Sequence, residues 1–248
     1  KLRKINKSNW RSLLLVAIIG NSLPAFLFSK AQTQIPSSLA GVLNSLAPLF
    51  TLIVGVLLYN SKTRWVNVVG VILGLIGASG LIIADPSSLK NWSLEKMNIY
   101  GLFVVLATLC YGINTNEIKY KIRGLKGIEI TMISFLIAGP LAGIYLLTTD
   151  FSGVAETENY MTNLGFVFML ALFSSVTALG IFYTFIQYVH PVFATSVTYI
   201  IPIFAIMWGV LDGEKLLPVQ LVFIAAILFG VYLVTRHNNK TEKLYEKK

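Results

Sequence analysis

Two histidines and a single cysteine are all the imidazole and thiol this chain of 248 residues holds. Cys110 lies inside an apolar run, so neither a disulfide framework nor a clustered metal site is on offer. His190 falls in a short loop and His237 in the C-terminal tail. HExxH, P-loop and nucleophile–base spacings are all missing, which leaves an enzyme without support and implies no cofactor. Charge is scarce too, at 12% of residues, and acid is scarcer than base, 11 against 20. No Asp or Glu falls in the middle of an apolar run; Glu117 and Glu129 stand near ends. A carboxylate within the bilayer is the usual proton or sodium relay, so strong ion coupling through these runs is not expected.

What the chain has is apolar length. It is 55% hydrophobic with a mean hydropathy of +0.72, which excludes an ordinary soluble domain. Eight candidate spans follow one another, at 12–30, 37–58, 66–84, 99–118, 128–148, 163–188, 192–211 and 218–235. The predicted fold class is all-α, a polytopic membrane bundle of eight transmembrane helices. Trp10, Trp65 and Trp92 read as interfacial belt residues, as does Trp208 near the end of its span. Gly70, Gly74, Gly77 and Gly80 form a small-residue stripe suited to packing inside the monomer.

The second span, within Pro36 to Tyr59, carries no charge and holds Pro48 at its middle. A proline there removes its own hydrogen bond and clashes with the carbonyl four residues back, and that residue is Asn44. The seventh span repeats the device, with Pro202 and, four residues earlier, Thr198. With Pro48 laid on Pro202, Phe28 meets Phe182, Ala40 meets Ala194 and Phe50 meets Phe204. Gly55, Val56 and Leu57 meet Gly209, Val210 and Leu211 without a gap. Coincidence in one register, centred on a mid-span proline, is an internal repeat.

Sixteen of the twenty bases fall on one face: those before the first span, Lys62 and Arg64, the Lys119–Lys126 run, and those after the last span. Lys30, Lys90, Lys96 and Lys215 remain on the other, with Asp150, Glu156 and Glu158. Positive-inside orientation makes the rich face cytoplasmic, with both termini inside. The net charge of +9 is thus a topology signal, and no nucleic acid is implied. Spans one to three match six to eight in opposite directions, an inverted repeat. Spans four and five have no partners ahead of the first, so the chain is expected to be a fragment lacking two upstream helices, with spans one and two unusually exposed on one flank.

Transporters of this design bind solute near the midplane, at the repeat interface. The candidate substrate-binding residues are Asn44, Ser45, Thr198 and Tyr199 beside the paired prolines, and Asn21 on span one. Asn114, with Asn116 nearby, and Tyr183, with Thr177 and Gln187, are further candidates that interhelical hydrogen bonding alone would explain. Pro24, Pro48, Pro140 and Pro202 are candidate helix kinks. Lys30 is expected to snorkel to the interface rather than serve a buried anion.

The run small–polar–x–x–Pro–φ–φ–x–x–φ–x–Gly followed by a Gly-rich closing helix resembles the EamA-type drug/metabolite transporter superfamily, from about Ser12 to Thr235. Asp212-Gly213-Glu214-Lys215-Leu216 resembles that family's turn after its ninth helix; the matching Tyr59-Asn60-Ser61-Lys62 lacks the glutamate. The resemblance implies two inverted five-helix units, ten helices in all, forming a solute carrier that is often an exporter. It also marks Tyr111 as an aromatic facing the cavity. On this reading residues 1–98 are the remainder of the first repeat, 99–235 the second, and 236–248 a basic cytoplasmic tail. The partners implied are a small-molecule solute, such as an amino acid, and the lipid bilayer of a plasma (inner) membrane. The competing readings are a non-transporting scaffold or receptor of transporter ancestry and, third, a channel.

The base distribution makes a direct prediction. Single cysteines placed in 85–96 should react with an impermeant thiol reagent on intact cells, whereas one at Asn60 should not. Labelling of Asn60→Cys alone reverses the orientation.

Overall fold

The computed structural model describes residues 7–83, 99–149, 159–214 and 217–245. Trp92, Lys90, Lys96, Lys215 and the acidic Asp150, Glu156 and Glu158 lie outside the described residues. Among the described residues, eight helices are long and apolar enough to cross a membrane: α1 (Asn9–Gln32), α2 (Ser37–Tyr59), α3 (Trp65–Ile83), α4 (Ile99–Tyr120), α5 (Gly127–Leu147), α6 (Tyr160–Tyr188), α7 (Pro191–Leu211) and α8 (Pro218–Arg236). The described residues include no strand. Such an architecture follows from the solvent, because in hydrocarbon every backbone N–H and C=O must find a partner within the protein.

Four helices depart from the regular ladder, and they form two pairs. In α2 the helix stops at Asn44 and resumes at Ala47. Pro48 has no N–H to offer Asn44, and the chain tightens, Ser45 N donating to Val42 O and Leu46 N to Leu43 O. In α7 the helix Pro191–Thr195 gives way to a 3₁₀ turn, Ser196–Tyr199, before resuming at Ile200 ahead of Pro202. In α1 a π-helical segment runs over Val16–Ser22, and in α6 another runs over Ala171–Ala178. The register that lays Pro48 on Pro202 lays these segments over one another too. Pro24 sits in the first turn after the π segment of α1, while α5 continues unbroken through Pro140.

Helices α2 and α7 lie side by side and antiparallel: Ser38 adjoins Gly209 and, a turn further in, Gly41 adjoins Ala205. Helices α3 and α8 form a second antiparallel pair, with Gly70 against Gly230 and Val234, Gly77 against Ile227 and Gly80 against Phe223. The glycine stripe is therefore an internal seam, its missing side chains letting two backbones touch. The N-terminal end of α1, the ends of α2 and α6 and the α4–α5 connection share one face. There Asn9 Nδ2 donates to Arg123 O at 3.1 Å and Gln187 Nε2 to Leu125 O at 2.7 Å. His190 opens α7, its Nδ1 accepting from Val192 N; burial, aided by Lys119, lowers its pKa and keeps it the neutral acceptor this cap needs.

Exposure is uneven. The most apolar stretch of α2 is 61% buried and that of α6 only 6%. Trp10, Leu14, Ile18 and Phe26 do expose a stripe of α1. The expected open flank on α2 is not found, because α2 packs against α4, α7 and part of α8. Trp10, Trp65 and Trp208 are exposed, as lipid-facing residues should be.

The seam can be tested against a control within the same protein. A Cβ at Gly230 would lie 2.4 Å from Gly70 O and 2.7 Å from Gly74 N, whereas one at Gly139 meets nothing within 4 Å. Gly230→Ala should lower stability by about 1–3 kcal/mol, read as a fall in thermal midpoint in detergent. Gly139→Ala should leave it in place.

Candidate functional site

About midway along α1, α2, α4, α6 and α7, with Phe135 from α5, a cavity of about 310 Å³ opens between the two repeats. That volume suits a small organic molecule. The walls are built from register-equivalent positions. Gly20 and Asn21 in the π segment of α1 correspond to Ser174 and Ser175 in that of α6, and all four line the space. Asn44 and Thr198, ahead of the two prolines, line it as a second equivalent pair, and Ala25 and Leu179 as a third. None of the lining residues is Asp, Glu, Lys, Arg or His.

A polarised chain of hydrogen bonds fixes one wall. Asn21 Nδ2 donates to Val16 O at 2.9 Å, a carbonyl five residues back in the π segment. The Asn21 carboxamide must therefore accept through Oδ1, which takes the Tyr183 hydroxyl at 3.3 Å. That hydroxyl in turn accepts from Asn114 Nδ2 at 3.1 Å. Tyr183 is fully buried and Asn114 is 3% exposed. The chain ties α1, α4 and α6 together, and it leaves Asn114 Oδ1 against Gly20 without a partner. Asn44 Oδ1 is likewise buried and unpartnered. The threonine hydroxyls donate to carbonyls of their own helices: Thr115 to Tyr111 O, Thr195 to Pro191 O and Val192 O, and Thr198 to Thr195 O. Their oxygens stay free to accept. The Tyr111 ring stacks on Phe28, 6.1 Å between centroids.

Of the eight residues singled out in the sequence, Asn21, Asn44, Tyr111, Asn114, Tyr183 and Thr198 line the cavity. Ser45 does not. It is fully buried and donates to Val42 O at 2.6 Å, serving the helix break rather than the space. Tyr199 closes the 3₁₀ turn, and only its backbone position is described. Asn116 binds Thr51 O and Gly112 O, which joins α4 to α2 away from the cavity. Lys30 is exposed and lines nothing here. Sequence reasoning passed over Thr115, Ser174, Ser175 and Thr195. The repeat register had already pointed to Ser175, since Asn21 falls on it.

Eight apolar helices among the described residues, with a charge-free cavity near mid-depth, suit a membrane transporter. The chain belongs to the EamA-like transporter family, which matches residues 1–83 and 98–236. An uncharacterized transporter of Archaeoglobus fulgidus is 24% identical over 232 residues, 92% of this chain and 79% of that protein. Another, from Synechocystis, is 28% identical over 133 residues, half of this chain and 36% of that protein. A solved crystal structure aligns with a TM-score of 0.65, covering 96% of this chain and 79% of its own; at 16% identity the likeness is one of fold.

Removing one hydroxyl tests the polarised chain. Tyr183→Phe leaves Asn21 Oδ1 and Asn114 Nδ2 buried without each other's bridge, at about 1–3 kcal/mol. A lower thermal midpoint is expected. Gly20→Ala, whose Cβ would lie 2.4 Å from Asn114 Oδ1, should displace that amide from Tyr183 and lower the midpoint as well.

Proposed function

We propose that the protein is a secondary transporter of a small organic metabolite, such as an amino acid, working by alternating access across the plasma (inner) membrane. The observation that carries this reading is the charge-free cavity walled by equivalent residues of two opposed repeats. A solute with net charge would lose its hydration there without gaining a counter-ion. A neutral or zwitterionic solute can replace water's hydrogen bonds with those of amides and hydroxyls. Substrate contacts are assigned to Asn21, Asn44, Tyr111, Asn114, Tyr183 and Thr198. The units that rock are residues 1–98 and 99–235, with 236–248 as a cytoplasmic tail. The basic face is cytoplasmic, so both termini lie inside, and the family resemblance favours export.

Flux of a panel of neutral and zwitterionic metabolites through proteoliposomes containing the full-length protein tests the reading. Saturable flux supports a carrier and non-saturable flux a channel. Binding without flux would return the protein to the scaffold or receptor class. Asn44→Leu locates the site. If Asn44 touches solute, loss of a buried hydrogen bond worth about 1–3 kcal/mol should weaken apparent affinity about 5- to 150-fold. An unchanged affinity with a lowered thermal midpoint would leave Asn44 as a structural cap of the α2 break.

A further inference from the structure

Each face of the bundle carries a carboxylate from the second repeat that accepts hydrogen bonds from hydroxyls of the first. On the basic face it is Glu117 of α4, only 8% exposed. It accepts from Ser12 Oγ of α1 at 2.6 Å and, on its other oxygen, from the Tyr59 hydroxyl of α2. The Tyr59 ring stacks on Tyr120 with centroids 5.4 Å apart, and Lys121 Nζ stands 5.9 Å above it. On the far face it is Glu214, beyond the end of α7. Its carboxylate accepts from the backbone N–H and hydroxyl of both Ser37 and Ser38, at the first turn of α2.

The far contact is built for. Gly213, at φ +84°, turns the chain back so that Glu214 N donates to Gly209 O at 2.8 Å. Gly209 in turn leaves room, because a Cβ there would lie 2.4 Å from Glu214 Oε2. Burial opposes ionisation of Glu214, but the four serine donors outweigh it and hold its pKa below the ordinary carboxylate value. In the first repeat the same turn recurs with Asn60 at φ +53°, delivering Ser61 Oγ to within 3.2 Å of the Tyr120 hydroxyl. The missing glutamate of that turn is compensated on the basic face by Glu117, from the opposite unit.

Charge-assisted bonds of this kind are about twice as strong as neutral ones. Both span the boundary along which alternating access would open the protein. We propose that Glu117 and Glu214 are the latches of the two faces, one breaking while the other holds during the transport cycle. The proposal rests on the transport reading above.

The test uses the full-length protein carrying Cys110→Ala and a reporter, Ser175→Cys, on the cavity wall. Its reaction with an impermeant thiol reagent is timed from each face in oriented vesicles. Glu214→Gln should speed labelling from the far face about fivefold, roughly the effect of ~1 kcal/mol, without speeding it from the basic face. Glu117→Gln should do the reverse. Ser38→Ala and Ser12→Ala remove partners instead of the carboxylates and should reproduce each direction; they carry the test if a glutamate variant fails to fold. Unchanged rates, or acceleration from both faces at once, overturn the latches. Flux measured in parallel separates the two ideas: flux without directional labelling sinks the latches alone, whereas directional labelling without flux sinks the transport reading and leaves Glu117 and Glu214 as closures of the two faces outside any cycle.

Discussion

Lipid offers no hydrogen bonds, so each backbone N–H and C=O must be satisfied inside the protein. The rest of this structure depends on that constraint. The helical ladder is opened four times, in α1, α2, α6 and α7. At each opening a nearby side chain takes up a backbone carbonyl: Asn21 takes Val16 O, Ser45 takes Val42 O, Thr177 takes Leu172 O and Thr198 takes Thr195 O. Irregular backbone at membrane depth is tolerated where it faces protein or a cavity, and here each opening stands at or beside the cavity wall. Asn21 and Thr198 both repair an opening and line the cavity, whereas Ser45 and Thr177 repair without lining it.

The second consequence concerns how the repeats meet. Two helices cannot exchange hydrophobic driving force in lipid as they would in water, so close contact comes from shape. Glycines supply it along α3 and α8, where backbone meets backbone, and Gly112 does the same for α4 against Phe50 and Thr51 of α2. Helices α5 and α6 touch in this way at Gly127, where a Cβ would lie 2.2 Å from Thr184 N. Their exposed Leu136, Ile144, Phe166, Phe168 and Leu170 face outward in numbers that only an apolar solvent would accept.

Much of this was legible in the sequence because membrane length, proline and charge asymmetry each have a single dominant cause. The number of spans followed from hydropathy, and the paired prolines placed Asn44 and Thr198 at the cavity. Three features were not legible. Ser45 was grouped with Asn44 by adjacency, but one residue along a helix turns the side chain about 100°, and it faces away. The π segment of α6 carries no proline or glycine; Ala171–Ala178 reads as an ordinary apolar run. Ser174 and Ser175 were missed with it. Glu117 looked like a span-end charge, whereas two hydroxyls from other helices let it sit almost wholly buried.

The cavity's polar groups differ from the others in one respect. Elsewhere in these helices, side chains such as Thr131, Ser134 and Thr235 donate to their own helix and ask nothing of a ligand. Asn44 Oδ1 and Asn114 Oδ1 are left without donors. A buried acceptor in that state costs about 1–3 kcal/mol, which helix packing could have avoided with an alanine. The polarised chain from Val16 O through Tyr183 explains why Asn114 cannot simply rotate its amide, since its Nδ2 is already committed. Both oxygens are covered by protein, Asn114 Oδ1 lying against Gly20.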